Sequence, residues 1–355
     1  MNPMTHAAHL FGPLFSDPES EALWDTARFV DGFIQFERAL AEALAEAGVV
    51  DHAVAAEAVE DINSFQPDLA KVAENVVQDG LPVPEFVRQL KAHARPSALP
   101  AIHTGATSQD LIDTAVSLIL RDANTRFEAQ LAGLLTALDA LIGKWGEATM
   151  MGRTRMQTAL PISVSDRIAT WCNPPASHID RLKALRPLVE TLQFGGPVGN
   201  RTSLAPHGDA VATALAKNLN LSNPDRAWHV TRESLTDYAN WLSMVTGSLG
   251  KMGQDLALMA QQGVEEARFS GGGTSSAMPH KQNPVRAELL ITLARYNATQ
   301  LPAMHHALVH EQERSGSAWS LEWMVLPAMV TTTATALRHA DQLIQSIESM
   351  GQSAR

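Results

Sequence analysis

The 355-residue sequence is short of several features that would each have fixed a class. It holds one cysteine, Cys172, so an intrachain disulfide is excluded, and a chain of this length without any is most simply cytoplasmic. Cys172 itself reads as a small buried hydrophobe rather than a nucleophile. No apolar run approaches the roughly 18 residues of a membrane span, and Met1 to Phe15 lacks the basic start and sustained apolar stretch of a secretory leader, so no membrane partner is expected. Positive charge is also scarce: 27 Lys and Arg stand against 38 Asp and Glu, a formal charge of −11. That balance argues against a nucleic-acid partner, which demands a basic face. Any anionic substrate must then be held by a local cluster of positive groups acting against the field of the whole molecule. No nucleotide-binding glycine pattern, no convincing strand alternation and no zinc-like ligand spacing appear.

What is present is helical periodicity. Asp17-Pro18-Glu19 supplies an N-cap with proline at the first helical position, and Phe29, Phe33, Phe36, Leu40 and Leu44 recur at steps of three and four. This predicts one helix that ends before Gly48. Thr107-Ser108-Gln109-Asp110 is a capping-box-like start, with Asp in place of the usual Glu, to a helix running unbroken to about Trp145. About 40 residues at ~1.5 Å each make roughly 60 Å, too long for a compact single layer. From Thr231 to about Glu266, Leu235, Tyr238, Leu242, Val245, Leu249, Met252, Leu256 and Met259 form a heptad seam of the kind that buries against other long helices. A further helix should follow Pro284, kink near Pro302 and end before Ser315; another should run from Pro327 to about Met350. Asn173-Pro174-Pro175 predicts a break in the helix from about Ile162 to Leu185. Phe194 to Gly199, Leu221 to Asp225 and Ser270 to Pro284 read as loops. The fold class is all-α, a long-helix bundle.

The chemistry concentrates in the last of those loops. Gly271 to Gly273 give flexibility, Ser275 and Ser276 hydroxyls, Lys281 a cation and Asn283 an amide, while Pro279 and Pro284 stiffen the rest. Reactions beside a carboxylate pass through an enolate and need one proton carrier with several donors or cations aimed at the oxyanion. The loop contains both. His229, His280, His305, His306 and His310 are scattered among helix ends and faces and read as structural.

Ser275-Ser276-Ala277-Met278-Pro279-His280-Lys281-Gln282-Asn283-Pro284 resembles the loop of the fumarase/aspartase superfamily. That resemblance implies that Ser275 carries the α-carbon proton and that Lys281 and Asn283 hold the carboxylate and its enolate form, with Ser276 and Met278 beside the substrate. His103-Thr104-Gly105-Ala106-Thr107-Ser108-Gln109-Asp110 resembles the superfamily's carboxylate-binding segment, which implies substrate contacts for His103, Thr107 and Ser108 at a helix start suited to an anion. Gly152-Arg153-Thr154-Arg155-Met156-Gln157-Thr158-Ala159-Leu160-Pro161 resembles a third segment, in which Arg155 and Gln157 fall on substrate-binding positions. One departure matters there. Elimination enzymes of the superfamily carry histidine where this chain has Arg155, and an arginine cannot release a proton near neutral pH.

The departure fits the branch of 3-carboxy-cis,cis-muconate cycloisomerases, lactonising enzymes of aromatic-acid breakdown. Their nucleophile is a carboxylate of the substrate itself, ionised above a pKa of roughly 4, so it needs no base. An arginine can instead hold one of the three carboxylates. Leu14-Phe15, Leu81 to Pro84 with Val87-Arg88, Trp228 to Arg232 and Trp319 to Trp323 resemble the same branch, and Trp323 stands where many lyases have arginine. The resemblance implies a fumarase/aspartase-type bundle and a homotetramer whose active sites are shared between subunits. It also implies a small polycarboxylate substrate and no cofactor or metal. The organisation expected is an N-terminal helical domain over 1–100, the bundle over 101–345 and a tail over 346–355 in place of the family's small C-terminal domain. Rival expectations are a cycloisomerase for a 3-sulfo analogue, an elimination lyase on a succinyl adduct using His103 or His229 as acid, and a non-catalytic helical scaffold.

Overall fold

The computed structural model describes residues 8–274, 278 and 281–351. Six helices form an N-terminal layer: α1 (Ala8–Phe15), α2 (Pro18–Ala22), α3 (Thr26–Glu46), α4 (His52–Ser64), α5 (Leu69–Asp79) and α6 (Val83–His93). Then comes α7 (Ser108–Trp145), followed by a hairpin of β1 (Thr149–Thr154) and β2 (Gln157–Ser163). The chain returns through α8 (Val164–Val189), passes the shorter α9 (Gly208–Leu219) and enters α10 (Glu233–Met259). Short strands β3 (Ala267–Phe269), β4 (Gly273–Thr274) and β5 (Gln282–Asn283) precede α11 (Val285–His306) and α12 (Ser317–Gln345), and β6 (Ile347–Met350) closes the chain by pairing antiparallel with β3.

Helices α7, α8, α10, α11 and α12 are the long bundle. Its up-and-down course is fixed by cross-helix bonds. Trp171 Nε1 donates to Asp255 Oδ2 at 2.7 Å, while His178 Nε2 lies 2.9 Å from Ser248 Oγ, so α8 and α10 run antiparallel. Gly253 and Gly250 let α11 press onto α10; an added Cβ would meet the Ala287 carbonyl oxygen and the Ala294 Cβ, each at 2.6 Å. Asn297 donates to Thr333 Oγ1 at 3.0 Å between α11 and α12. Phe127, Leu131, Trp171, Leu242, Leu256, Leu290, Met329 and Leu337 belong to the core these helices share. A second core of Phe33, Phe36, Leu40, Ile62, Phe86, Leu111 and Leu215 joins α3, α4, α6 and α9 to the first turns of α7.

The α7 limits agree with the sequence reading, and Thr107 is the N-cap. Four expectations fail. The single helix predicted from Asp17 to Gly48 is two, because Asp25 makes a second N-cap by accepting from Arg28 N at 2.7 Å. No break occurs at Asn173-Pro174-Pro175: α8 is continuous through Pro174, Pro175 and Pro187. Each proline removes one backbone donor, but Trp171 and His178 clamp both sides of the pair to α10, and packing overrides local preference. The helix predicted from Pro327 begins at Ser317, with Ser315 Oγ accepting from Ala318 N at 3.1 Å, and Pro327 lies inside it. The seam predicted to Glu266 ends as helix at Met259. Strands, absent from the sequence reading, occur among the described residues as three short two-stranded pairs.

Candidate active site

The start of α7 is held by one carboxylate. Asp110 Oδ2 accepts from Thr107 N at 3.0 Å and Gly196 N at 2.9 Å; Oδ1 accepts from Gly195 N at 2.9 Å and lies 2.8 Å from His229 Nε2. Four donors saturate the group and fix His229 as a donor through Nε2. Both residues are buried. Just upstream, Gly105 has φ +78 and an added Cβ would sit 2.4 Å from Leu204 Cδ1, so only glycine lets the segment pass there. His103 also has positive φ, 57. Its Nδ1 lies 2.6 Å from Glu37 Oε1, and its backbone N donates to Glu37 Oε2 at 2.9 Å. The structure thus brings His103, Thr107 and Ser108 together on one segment, anchored to α3 below and to the Gly195-Gly196 loop beside it.

Behind this segment lies a fully buried ion cluster. Arg232 donates to Asp113 at 2.7 and 3.2 Å and to Glu322 at 2.9 and 2.5 Å, with Trp319 Nε1 and Gln193 Nε2 also on Asp113 at 2.9 and 3.1 Å. Burial alone would push the Asp113 carboxyl up, but the Arg232 charge and hydrogen bonds, with Gln193 and Trp319, hold it below the ordinary carboxylate range. Arg232 is pushed the other way, above the usual guanidinium value: burial opposes its charge, and Asp113 and Glu322 more than compensate. With its donors engaged, Arg232 is structural. The Trp228 to Arg232 and Trp319 to Trp323 stretches therefore build this cluster, Trp228 stacking on the guanidinium at 4.5 Å from its ring centroid.

The other candidate residues lie at the far end of the bundle. Strands β1 and β2 pair down to Thr154 opposite Gln157, so Arg155 and Met156 form a two-residue turn, with φ of 46 and 68. Such turns favour Asn-Gly, and two long side chains at positive φ are strained, which marks functional sites. Arg155 and Gln157 are exposed, while Arg153 is used internally, 2.5 Å from buried Glu266. The loop after β3 is narrowed where Gly273 pairs with Asn283; an added Cβ at Gly273 would meet Val285 at 2.5 Å. Lys281 is exposed and its backbone N donates to Met278 O at 3.0 Å. Ser275 and Ser276 lie outside the described residues. Helix α7, with 38 residues, separates Thr107 from the Arg155 hairpin by about 57 Å, and α10, with 27, separates the Arg232 end from the Lys281 loop by about 40 Å. One chain does not bring the three segments together.

Comparison with known proteins identifies the family. A family model described as Lyase matches residues 18–296. The chain is 34% identical over 345 residues to the 3-carboxy-cis,cis-muconate cycloisomerase of Pseudomonas putida, covering 96% of this chain and 82% of that protein. This chain belongs to the lyase family of the fumarase/aspartase superfamily. The solved 3-carboxy-cis,cis-muconate lactonizing enzyme from Pseudomonas putida superposes with a TM-score of 0.88 at 34% identity, covering 96% of this chain and 77% of that one. The lyase family spans other reactions at similar distance: trans-aconitate decarboxylase 1 of Mycosarcoma maydis is 30% identical, covering 97% of this chain and 71% of the relative.

Within this lyase-family fold, the structure adds residues that sequence reasoning passed over. Glu37 sits on the same helical stripe as Phe33, Phe36 and Leu40, and a charge on a buried stripe was a readable signal. Asp113, Arg232 and Glu322 gave none, because their partners are remote in sequence. Cys172 is partly buried, and burial, then Asp139, lifts its thiol above the ordinary value, away from nucleophilic use. A cavity of about 1010 Å³ between the N-terminal layer and the bundle, lined by Trp24, Phe29, Val72, Val116 and Trp323, reaches the Arg232 cluster but not Thr107, Arg155 or Lys281. Among the described residues no helix is long and apolar enough to cross a membrane, and no acidic, histidine or cysteine group could hold a metal.

Proposed function

We propose that this chain is a cycloisomerase that closes 3-carboxy-cis,cis-muconate to 4-carboxymuconolactone. The observation that carries this reading is Arg155, held at the tip of a strained turn where elimination enzymes of the superfamily have an ionisable histidine. Ring closure needs no such group. One substrate carboxylate attacks the carbon β to a second, the new C–O bond forms, and the π electrons move toward that second carboxylate as an enolate. Lys281, Asn283 and the Thr107-Ser108 segment carry the developing negative charge, and this stabilisation supplies most of the catalysis. The Ser275 hydroxyl gives its proton to the α carbon and is reprotonated by water. The positive charge of Lys281, six residues on in the same sequence motif, is the group proposed to make a serine hydroxyl acidic enough. Arg155 holds the third carboxylate, with His103, Gln157, Ser276 and Met278 shaping the rest of the site. The 34% identity to the muconate cycloisomerase of Pseudomonas putida supports the same reaction.

The site is shared between copies of the chain. What supports this is the separation of the Thr107 and Arg155 segments along α7, which only neighbouring subunits can close. The assembly proposed is a homotetramer acting on a small polycarboxylate.

Two assays test these statements. With 3-carboxy-cis,cis-muconate or its 3-sulfo analogue, the diene absorbance should fall without release of fumarate, and Lys281→Met should lower kcat by roughly 10²–10³. No turnover of either compound, with release of fumarate from a succinyl adduct such as argininosuccinate, overturns lactonisation in favour of elimination. Separately, Ser108→Ala and Arg155→Gln enzymes, each nearly inactive, should regain activity when dissociated and reassembled together. If mixing restores nothing, the site belongs to a single chain.

A further inference from the structure

We infer that Glu37 is a positioning residue of the substrate site: it holds the His103 imidazole so that Nε2 is presented to the carboxylate bound at the start of α7. This rests on the carboxylate-binding role given above to His103, Thr107 and Ser108. Glu37 is fully buried, within a stripe whose other members, Phe33, Phe36 and Leu40, are core. A buried carboxylate is costly unless compensated, and a leucine there would pack without that cost. Both of its hydrogen bonds among the described residues go to His103, one to Nδ1 at 2.6 Å and one to the backbone N at 2.9 Å.

Those two bonds fix different things. The backbone bond holds His103 at φ 57, a conformation uncommon for any residue but glycine. The side-chain bond fixes the ring and places a proton on Nδ1, leaving Nε2 as the free edge, in the way that a second carboxylate orients a catalytic or metal-binding histidine. The His103 side chain is 15% exposed and Glu37 is not exposed at all, so the pair runs from core to surface. The mount is rigid. Gly32, little more than one turn before Glu37, lets α3 approach α7 so closely that an added Cβ would lie 2.8 Å from Ala115 Cβ.

The test uses the full chain in its native assembly, with Glu37→Gln, His103→Gln and the double variant. Tricarballylate, an unreactive tricarboxylate, is the calorimetric probe beside turnover of 3-carboxy-cis,cis-muconate. Each single variant should raise KM and weaken tricarballylate binding by about 10- to 50-fold with kcat changed less than about threefold, and the double variant should be no worse than either single. A merely structural Glu37 would lower the melting temperature and leave binding by the folded enzyme unchanged, which overturns the inference. So does a double variant in which the two losses multiply. Wild-type enzyme that binds tricarballylate without closing the lactone refutes the proposed reaction and leaves this inference standing on its binding data. Wild-type enzyme that does neither removes the carboxylate site and Glu37's role together.

Discussion

At the scale of single residues, the charges that matter are those with no water to help them. Arg232 serves two buried carboxylates, Asp113 and Glu322, and of the two only Glu322 has a further ionisable neighbour among the described residues, His310 Nε2 at 3.6 Å. Removing Arg232 strands Asp113 and leaves Glu322 with that single long contact. Arg232→Met should therefore destabilise the protein by about 3–5 kcal/mol, read by urea unfolding, whereas a loss below about 1 kcal/mol would mean that the cluster is solvated. None of this was legible in the sequence. Arg232 lies 119 residues from Asp113 and 90 from Glu322, and no local pattern joins them. Thr107 with Asp110 was legible as a helix start because its meaning lies in one short motif.

At the scale of elements, legibility followed cooperation between signals. For α7 a capping residue and a sustained apolar period agree, and its limits were read closely. The β1–β2 hairpin escaped because its turn residues are Arg155 and Met156 rather than asparagine and glycine, so no breaker announced it. The α3–α7 crossing is similarly silent in sequence, since Gly32 reads as a blemish in a helix rather than a point of contact. Gly32→Val should force the two helices apart, costing about 1–3 kcal/mol in chemical denaturation and raising KM through the displaced Glu37. Unchanged stability would show that α3 slides without strain.

At the scale of the molecule, acid should loosen the fold before the Asp113 carboxyl, held below its ordinary range by Arg232, takes up a proton. His178 and His339 are both held down to about 4, first by burial and then by Arg181 and Arg338 respectively. Unfolded, each titrates near 6.5, so below that pH the unfolded chain takes protons that the native state refuses. Stability should then be flat above about pH 6.5 and fall as pH drops toward 4, by a few kcal/mol between the two residues at most. Melting temperatures over that range should follow, with a shallower slope in the His178→Gln, His339→Gln double variant. A flat profile in the wild type would refute it.

The uninterrupted course of α8 through three prolines has a consequence for how the chain is made. A segment with Pro174, Pro175 and Pro187 has little helical tendency of its own, and its clamps, Asp255 and Ser248, lie on α10. During synthesis residues 164–189 emerge well before those partners. The stretch around Pro174 and Pro175 therefore gains its clamps only after α10 has been translated, whereas the Pro187 end can already pair with α7 through Arg186 and Glu128.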